Sequence, residues 1–449
     1  MIGNDIIEEV RRLADAVALI GQRVTLRKSG SSFVGPCPFH DEKDASFRVY
    51  PEEKRFHCFG CQARGDVFEF FQRLDRKTFP AVVREIAASV GLGVPARKRT
   101  AEEQRAHEDR RALLGACKAA AARWASRLYG PGGEAARTYL AQRGVTNETA
   151  RAFGVGYAGP EWHDLHVALG ASGISATVQH AAGLLATKTS SSDSLRYYDR
   201  FRNRLTFPIA DAQGRVIAFG ARALDAEPGA KYLNSPETPL YKKARALFAL
   251  DRAAESIRRT GRAILVEGYF DAVLLHQAGF ASTIASCGTA LTAEQLEVLA
   301  GAGARELVLL FDGDQAGVAA PSRCAGTLLK SEMTTYVARL PAGAGDKTDP
   351  DSFVRRRGAA ALGQVLDAAL PLTEHLIQRA IADHAPDGGH APVEKKLRVV
   401  RELTPTVLAT REGLARSAFE KTIARRLDLD IGPLRSELHR ACAARTNRA

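Results

Sequence analysis

The sequence predicts a multidomain protein of the α+β and α/β classes. Between Arg262 and Asp351, short runs of Val, Ile and Leu alternate with segments of helical spacing, which is typical of a parallel sheet with crossover helices. Near the N-terminus, two closely spaced pairs of cysteine and histidine residues flank strand-like runs. From Leu370 onward the apolar residues recur with helical spacing. We therefore expect a small N-terminal ribbon, a mixed α/β core and a C-terminal helical bundle, and 449 residues suffice for two or three such domains.

The N-terminal ribbon is predicted from two pairs of metal-ligand residues. Cys37 and His40 are three positions apart, and so are Cys58 and Cys61. This spacing places two ligands on each of two tight turns, as tetrahedral Zn²⁺ requires. Three thiolates and one imidazole would complete a closed site, so we predict one structural Zn²⁺. The alternative is that the cysteines pack as small apolar side chains.

A hairpin between the two pairs would fold them onto one another. Residues 47–50 and 55–58 are predicted strands, joined by a Pro-Glu-Glu-Lys turn. His57 is a rival ligand, but in a strand its side chain points to the face opposite that of Cys58. The paired cysteines and the histidine at position 40 therefore remain the predicted zinc ligands.

The ribbon also carries a mixture of basic and aromatic side chains. Such a mixture can hold phosphates and stack unpaired bases, although about half of the aromatic residues must form the small core. Helices predicted over 6–19, 66–74 and 79–90 complete a module of residues 1–96, which we expect to bind a single-stranded template. The basic and aromatic residues are Lys43, Arg48, Lys54, Arg55, Arg64, Phe33, Phe47, Tyr50, Phe56 and Phe59.

A charged linker at 97–115 and a basic region at 116–250 follow. The linker is predicted to be a tether that is partly helical. Apolar runs at 204–209 and 215–219 flank an Asp-Ala-Gln-Gly turn, which predicts a hairpin. A basic surface suits a polynucleotide or a triphosphate, and the alternative is a solvated face. The basic residues are Arg196, Arg200, Arg202, Arg204, Arg215, Arg222, Lys231, Lys242, Lys243 and Arg245.

Acidic residues follow three of the apolar runs in the predicted parallel sheet at 251–369. Because ligands of open α/β sheets lie beyond the carboxyl ends of the strands, we expect these acids to converge. Converging carboxylates repel one another unless cations neutralise them, and all-oxygen ligation suits two or more Mg²⁺ or Mn²⁺ ions. The alternative is that each acid is a solvated loop-end or N-cap residue. The acids are Glu267, Asp271, Asp312, Asp314, Asp346, Asp349 and Asp351.

The composition points to a polyanionic partner. The formal net charge is +12 and the pI is about 9.5. No apolar run approaches the length of a membrane span, and the first residues lack the features of a secretory signal. Four of the seven cysteines are scattered through apolar or helical settings. We therefore expect a cytoplasmic protein that does not bind membranes.

Several motifs together resemble a known family. Glu-Gly-Tyr-Phe-Asp at 267–271, Asp-Gly-Asp at 312–314 and Asp-Pro-Asp at 349–351 look like the signature of the TOPRIM domain, which topoisomerases, some nucleases and bacterial primases share. The line CPFHDEKDASF…FHCFGCQARGD resembles the zinc module of DnaG-type bacterial replicative primases, with Asp44-Ala45 in place of Thr-Pro. YDRFRNRLTFPI, GRVIAFGAR and KYLNSPETPLYKKAR resemble their basic motifs.

The resemblance implies a DNA primase, a nucleotidyltransferase that makes short RNA primers on single-stranded DNA from ribonucleoside triphosphates. It implies metal ligands at Asp312, Asp314 and Asp351, supported by Asp271 and Asp349. Glu267 is either a further metal ligand or a proton acceptor. Lys231 and Lys243 are the favoured triphosphate contacts. The full set of implied template and nucleotide contacts is Arg143, Arg202, Arg222, Lys231, Asn234 and Lys243.

The segment 370–449 is predicted to form four helices. Their expected bounds are 373–384, 393–408, 412–427 and 433–445. In the family, helices of this kind close the polymerase domain and a helicase-docking domain follows. Because the sequence ends at Ala449, we expect that docking domain to be absent, so coupling to a replicative helicase is in doubt. A monomer is expected.

Other functions need sequence features that can be compared with the same motifs. A topoisomerase needs a tyrosine nucleophile outside TOPRIM, and no tyrosine follows Tyr336. A fused primase-helicase needs a phosphate-binding loop that residues 343–348 only mimic. A metal-dependent nuclease or a primase-like protein of a mobile element would use the same acids. A non-catalytic zinc-ribbon protein that binds single-stranded DNA would have lost some of them.

Overall fold

The computed structural model describes most of the chain. It covers residues 2–40, 42, 45–75, 77–94, 100–189, 195–224, 230–286, 288, 291–313, 315–341 and 349–446. The chain divides into two compact units, residues 1–105 and 106–449. The predicted domain boundaries within them stay predictions. In the part of the chain described here, no helix is both long and apolar enough to cross a membrane.

The first unit is a five-stranded antiparallel ribbon with helices before and after it. The strands follow one another in the sheet in the order β1-β2-β3-β4-β5. This is the predicted ribbon, and β3 and β4 form the predicted hairpin. In chain order the elements are α1 (Asn4–Leu13), α2 (Ala16–Gly21), β1 (Arg27–Ser29), β2 (Ser32–Gly35), β3 (Phe47–Tyr50), β4 (Arg55–Cys58), β5 (Arg64–Asp66), α3 (Val67–Asp75) and α4 (Phe79–Ser89).

The single helix that helical periodicity predicts over 6–19 is wrong, because two helices occupy this region. Asp15 lies between them, and its side chain accepts hydrogen bonds from the backbone N–H groups of Val17 (2.9 Å) and Ala18 (3.0 Å). An aspartate in this position satisfies amides that a new helix leaves unpaired. The cap therefore begins α2 although the apolar pattern runs on.

The core of the first unit is largely aromatic. Phe39, Phe47, Phe56 and Phe70 pack with ring centroids 5.3–6.2 Å apart. Phe47 and Phe56 face each other from adjacent strands, and both are fully buried. Such cross-strand aromatic pairs stabilise a sheet that is too small for a large aliphatic core. Phe59, by contrast, is 53% exposed.

The basic region of the second unit contains a four-stranded antiparallel sheet. Its strand order is β11-β10-β9-β6, and β9 with β10 is the predicted hairpin. In the turn, Asp211 Oδ2 accepts a 2.9 Å hydrogen bond from Arg215 Nε. The elements are α5 (Ala101–Tyr129), α6 (Glu134–Gln142), α7 (Asn147–Ala152), β6 (Gly156–Ala158), α8 (Asp164–Ala171), α9 (Ala176–Ala181), β7 (Leu185–Thr189), β8 (Leu195–Asp199), β9 (Arg204–Ala210), β10 (Val216–Ala223) and β11 (Tyr232–Asn234).

The predicted parallel sheet is confirmed in the next part of the chain. Its strand order is β13-β12-β14-β15-β16; the first four strands are parallel and β16 is antiparallel to β15. The elements are α10 (Leu250–Thr260), β12 (Arg262–Val266), α11 (Tyr269–Gln277), β13 (Thr283–Ala285), α12 (Ala293–Gly301), β14 (Glu306–Leu310), α13 (Gln315–Leu328), β15 (Thr334–Ala338), α14 (Pro350–Asp367) and β16 (Leu370–Pro371).

The topology of this sheet fixes where ligands can bind. The chain moves from β12 outward to β13 and then returns past β12 to β14, so the strand order reverses between β12 and β14. In open α/β sheets this reversal opens a crevice at the carboxyl ends of the strands. The acidic residues of the sequence follow these strand ends.

Four helices complete the second unit, as the sequence predicts. Buried side chains such as Leu376, Val400 and Phe419 join them to the apolar face of the parallel sheet. A 3-10 turn at Gly388–His390 precedes the second of them. The helices are α15 (Leu372–His384), α16 (Val393–Ala409), α17 (Leu414–Leu427) and α18 (Ile431–Thr446).

His375 on α15 is expected to make the protein sensitive to acid. It is 3% exposed, and neither ring nitrogen has a hydrogen-bond partner among the described residues. Burial first, and then the nearby charges of Arg339 and Arg379, together lower the pKa of His375 to about 4. Below pH 6.5, the ordinary pKa of histidine, the unfolded chain binds a proton at His375 that the folded protein does not bind until about pH 4. The free energy of unfolding therefore falls by up to about 3 kcal/mol as the pH drops from 6.5 to 4.

We therefore expect His375→Leu to flatten the pH dependence of the melting temperature between pH 6.5 and 4. The measurement is thermal unfolding across that range, with His390→Leu at an exposed position as the control. Equal acid sensitivity in the wild type and His375→Leu would contradict the prediction.

Candidate active site and zinc cluster

The four predicted zinc ligands converge in the first unit. The ligand atoms of Cys37, His40, Cys58 and Cys61 all lie within 4.8 Å of one another. The sulfurs of Cys37 and Cys61 are 3.8 Å apart, and Cys58 Sγ lies 3.9 Å from His40 Nδ1. Ligands about 2.3 Å from a tetrahedral centre are separated by about 3.8 Å, so the cluster fits a zinc ion. The rival ligand His57 instead packs against the ring of Phe59 at 4.4 Å.

Two residues that sequence reasoning missed hold this cluster in place. Glu42 Oε1 accepts a 2.7 Å hydrogen bond from Cys37 N, and Glu42 Oε2 lies 3.2 Å from His40 Nε2. With Nε2 facing a carboxylate, Nδ1 is the nitrogen left to bind a metal. Ser46 Oγ lies 3.1 Å from Cys58 Sγ. Burial raises the pKa of Cys58, but hydrogen bonds, first that of Ser46, bring it down to about 7, which favours the thiolate.

We expect Glu42→Gln to weaken zinc binding by roughly 10- to 100-fold, because outer partners of a ligating imidazole have effects of this size. Competition with a chromogenic chelator measures the affinity. Glu52→Gln, a change at an exposed site in the same unit, is the matched control. Identical zinc affinity in the two variants would show that Glu42 does not support the ligands.

Three acids from two helices meet at the carboxyl edge of the parallel sheet. Carboxylate oxygens of Asp271, Asp349 and Asp351 all lie within 4.8 Å of one another. Asp271 lies in the first turn of α11, Asp349 caps α14, and Asp351 is the second residue of α14. Asp271 is 8% exposed and Asp351 only 2%, so neither is a solvated loop acid.

Backbone amides fix the orientation of these carboxylates. Asp271 accepts hydrogen bonds from Asp351 N (3.1 Å) and Gly268 N (3.2 Å), and Asp349 accepts one from Ser352 N (2.9 Å). A Cβ atom at position 268 would lie 2.7 Å from Asp271 Oδ2, so a side chain there would displace this carboxylate. The amino ends of α11 and α14 therefore both point their amides at the same negative cluster, which helix dipoles stabilise.

The electrostatics of the cluster favour a cation. The pKa of Asp271 is raised well above its ordinary value, first by burial and then by the charges of Asp351, Asp312 and Asp349. Burial and a hydrogen bond shared with Asp349 raise the pKa of Asp351 to about 6. For Asp349, burial acts to raise the pKa, but hydrogen bonds with Asp351 and Ser352 lower it overall. Buried carboxylate oxygens that repel one another are a donor set that suits Mg²⁺ or Mn²⁺.

Arg143 supplies a positive charge beside the acids. It ends α6, and its guanidinium forms an ion pair with Asp351. The same guanidinium lies over the ring of Phe270, 4.7 Å from the centroid. A cation held between a carboxylate and an aromatic face has a fixed position. Phe270 was not predicted as a site residue, although it lies inside the motif that contains Asp271.

Arg222 and Asn234 approach the acids through two tyrosines that sequence reasoning also missed. Arg222 Nη1 donates to Tyr232 Oη at 3.0 Å, and Tyr269 Oη donates to Asn234 Oδ1 at 2.7 Å. Tyr269 lies two residues before Asp271. A Cβ atom at Gly220 would lie 2.0 Å from the ring of Tyr269, so the absence of a side chain there lets the ring pack against β10. These contacts connect the antiparallel sheet to the acidic edge.

The remaining acids have different positions. Glu267 is half-buried directly after β12 and lines a cavity of about 230 Å³ together with Ser286 and Arg323. Asp312, half-buried after β14, is near enough to raise the pKa of Asp271. The predicted ligand Asp314 lies outside the described residues, as do Asp346, Lys43 and Asp44.

The other predicted basic contacts lie in separate settings. Arg202 lies over the ring of Trp162, 4.0 Å from the centroid, and near Tyr198. Lys231 is exposed next to β11, and its carbonyl accepts a hydrogen bond from the backbone of Ala223. Lys243 is half-buried, and its backbone N donates to Glu237 Oε1 at 2.7 Å. Their roles in nucleotide and template binding stay predictions.

Comparison with known protein families places three regions of the chain. Residues 2–102 match the CHC2 zinc finger, residues 124–254 the N-terminal domain of the DNA primase catalytic core, and residues 264–354 a Toprim-like domain. Together with the two ligand clusters, these matches confirm the predicted cofactors. They are Zn²⁺ in the ribbon and catalytic Mg²⁺ or Mn²⁺ at the acids.

Individual relatives agree with the domain matches. A DNA primase of Myxococcus xanthus is 41% identical over 419 residues, which are 93% of this chain and 66% of that protein, so the chain spans just under two thirds of that relative. The zinc-binding and RNA polymerase domains of the Aquifex aeolicus primase superpose with a TM-score of 0.61 at 29% identity, covering 96% of this chain and 98% of that one.

A DnaG primase catalytic domain bound to single-stranded DNA superposes with a TM-score of 0.63 at 30% identity, covering 73% of this chain and 99% of that one. The chain therefore belongs to the family of DnaG-type bacterial DNA primases.

Proposed function

We propose that the chain is a DNA-directed RNA polymerase that synthesises short RNA primers on single-stranded DNA. The observation that carries this proposal is the meeting of Asp271, Asp349 and Asp351 beside Arg143 at the carboxyl edge of the parallel sheet. Family membership supports the same activity, and one related catalytic domain is bound to single-stranded DNA. The substrates are ribonucleoside triphosphates and the growing RNA primer.

In the proposed reaction, a primer 3′-hydroxyl attacks the α-phosphorus of a nucleotide. A new O–P bond forms, the bond to pyrophosphate breaks, and the hydroxyl proton is lost. Divalent cations bound at the acids would lower the pKa of the hydroxyl and neutralise the leaving group. Asp351, Asp312, Asp314 and Glu267 are the proposed metal ligands, supported by Asp271 and Asp349. Glu267 is alternatively the group that accepts the proton.

The cationic side chains of this chain would hold the substrates rather than react. The guanidinium of Arg143, fixed over Phe270, is placed to contact a phosphate that approaches the acids. Arg222 and Asn234 are tied to the acidic edge through Tyr232 and Tyr269 and would position the nucleotide. We assign triphosphate contacts to Lys231 and Lys243, and a template contact to Arg202.

The zinc ribbon would supply a second template contact. Phe59 is 53% exposed next to the cluster, and Arg55 and Arg64 are exposed on the neighbouring strands. An exposed ring between cations can stack an unpaired base while the cations bind phosphates.

We further propose that the protein acts as a monomer, which light scattering tests. A pull-down with a replicative helicase tests whether α15–α18 bind that partner.

The test is primer synthesis on a panel of short single-stranded templates with ribonucleotides and Mg²⁺. The proposal requires RNA products that depend on both template and metal. Degradation of the template without extension would identify a nuclease instead. Absence of either reaction, with template binding intact, would identify a non-catalytic binding protein.

A further inference from the structure

A basic cavity lies at the side of the parallel sheet formed by β15 and β16. Its volume is about 680 Å³, and it lies between β15, α14 and β16. Three arginines line it: Arg339 follows β15, while Arg356 and Arg357 lie on α14. None of the described residues that line it is acidic. Arg339 and Arg357 are exposed, and no ion pair joins either one to a carboxylate in the described part of the chain.

The rest of the lining is apolar, with one amide. The apolar part is formed by Val337, Phe353, Val365 and Leu370, and the amide belongs to Gln364. Both halves of α14 contribute, because the helix is interrupted at Gly358, where φ is 82° and ψ is 169°. An apolar surface with cations at its margin suits an anion that also carries flat apolar groups. Unpaired nucleotides have this chemistry, and an amide can hydrogen-bond the edges of their bases.

The cavity and the acids share helix α14, so one nucleic-acid strand is long enough to reach both. Asp351 and Arg357 lie on the same helical segment, six residues apart. At 1.5 Å and 100° per residue, Arg357 lies about 9 Å along the helix axis from Asp351 and about 120° around it. A strand between them would pass over the amino-terminal turn of α14 and span roughly two or three nucleotides. Arg339 follows the carboxyl end of β15, at the edge where the acids also lie. A strand whose paired end is at the acids would therefore reach the cavity.

We propose that this cavity binds single-stranded DNA of the template next to the catalytic acids. Arg339, Arg356 and Arg357 contact its phosphates, and the apolar lining with Gln364 takes its unpaired bases. This inference rests on the proposed function, and it adds a template contact on the parallel-sheet side that charge runs in the basic region do not predict.

The test is fluorescence anisotropy of a labelled DNA oligonucleotide at several salt concentrations with the full chain. The logarithm of the association constant for DNA falls linearly with the logarithm of the salt concentration. In Arg339→Gln/Arg357→Gln the slope of this line should become shallower by about 1.4, since each phosphate contact on a single strand contributes about 0.7. At 0.15 M salt this corresponds to roughly tenfold weaker binding. Thermal unfolding checks that the variant folds, which is expected because both side chains are exposed.

The matched control is Arg258→Gln/Arg259→Gln. These two exposed arginines end α10, which leads into the amino end of β12, at the opposite edge of the sheet. A variant that binds DNA like the wild type, or loses no more affinity than the control, overturns the inference. A raised KM for nucleotides with unchanged DNA affinity also overturns it, because the cavity would then bind free nucleotides. If the wild type binds no single-stranded DNA, the proposed function itself fails.

Discussion

Replacing Asp351 with asparagine is expected to lower primer synthesis by roughly 100-fold or more, the scale on which single groups that stabilise a charged transition state act. Asp351 is 2% exposed, lies within 4.8 Å of the carboxylates of Asp271 and Asp349, and pairs with Arg143. Asparagine keeps the shape and one acceptor for Arg143 but removes the negative charge that a divalent cation needs. Dinucleotide formation with saturating template and nucleotides measures the effect.

The control for this change lies on the same helix. Asp367→Asn alters an exposed aspartate at the other end of α14 and should leave synthesis unchanged. Thermal unfolding of both variants shows whether the loss of activity comes from loss of fold. We expect Asp312→Asn to resemble Asp351→Asn. Near-normal dinucleotide formation by Asp351→Asn would remove it from the catalytic site.

Replacing Cys58 with alanine is expected to unfold the first unit. Cys58 is fully buried, and its sulfur completes the cluster with Cys37, His40 and Cys61. Structural zinc in small modules contributes on the order of 10 kcal/mol to folding, which exceeds what the aromatic core of so small a unit provides. The variant should lose its zinc and the amide protection of residues 2–94. Metal analysis and hydrogen exchange measure these two losses.

Cys117→Ala provides the comparison for the zinc prediction. Cys117 is also fully buried, but it lies in α5 among apolar residues of the second unit. Its loss leaves only a small cavity and should leave the zinc content at one per chain. If Cys58→Ala kept a protected first unit without zinc, the ribbon would be stabilised by its phenylalanines alone.

The convergence of Asp271, Asp349 and Asp351 could be predicted because strand ends of a parallel sheet share one edge, whereas Glu267 and Asp312, which the structure also describes, do not join this group. The partners of each acid could not. Asp271 and Asp351 are 80 positions apart, and the hydrogen bond between them depends on how α14 packs against α11. No sequence pattern near either residue predicts how the two helices pack. The same holds for Glu42, which supports the zinc ligands from a loop without any periodic signal.

For the basic residues, the sequence predicts the kind of partner but not the position of each side chain. A run of charges indicates a partner but does not specify where each long side chain points. Arg222 is bound to Tyr232 near the acids, whereas Arg202 lies over Trp162. The prediction of secondary structure failed where local chemistry overrides the pattern, as at Asp15, and where an element is too short to have a pattern, as in β16. It also differed in the predicted tether, where the charged residues from Ala101 onward form the first turns of the continuous helix α5.

The central claim is that buried acids from two helices form one site for divalent cations. Titration of the wild type with Mn²⁺, followed by electron paramagnetic resonance of the free ion, tests this without requiring catalysis. We predict that the wild type removes the signal of at least one Mn²⁺ per chain and that Asp271→Asn/Asp351→Asn, with its zinc still bound, does not. Equal Mn²⁺ binding by the two proteins would contradict the account.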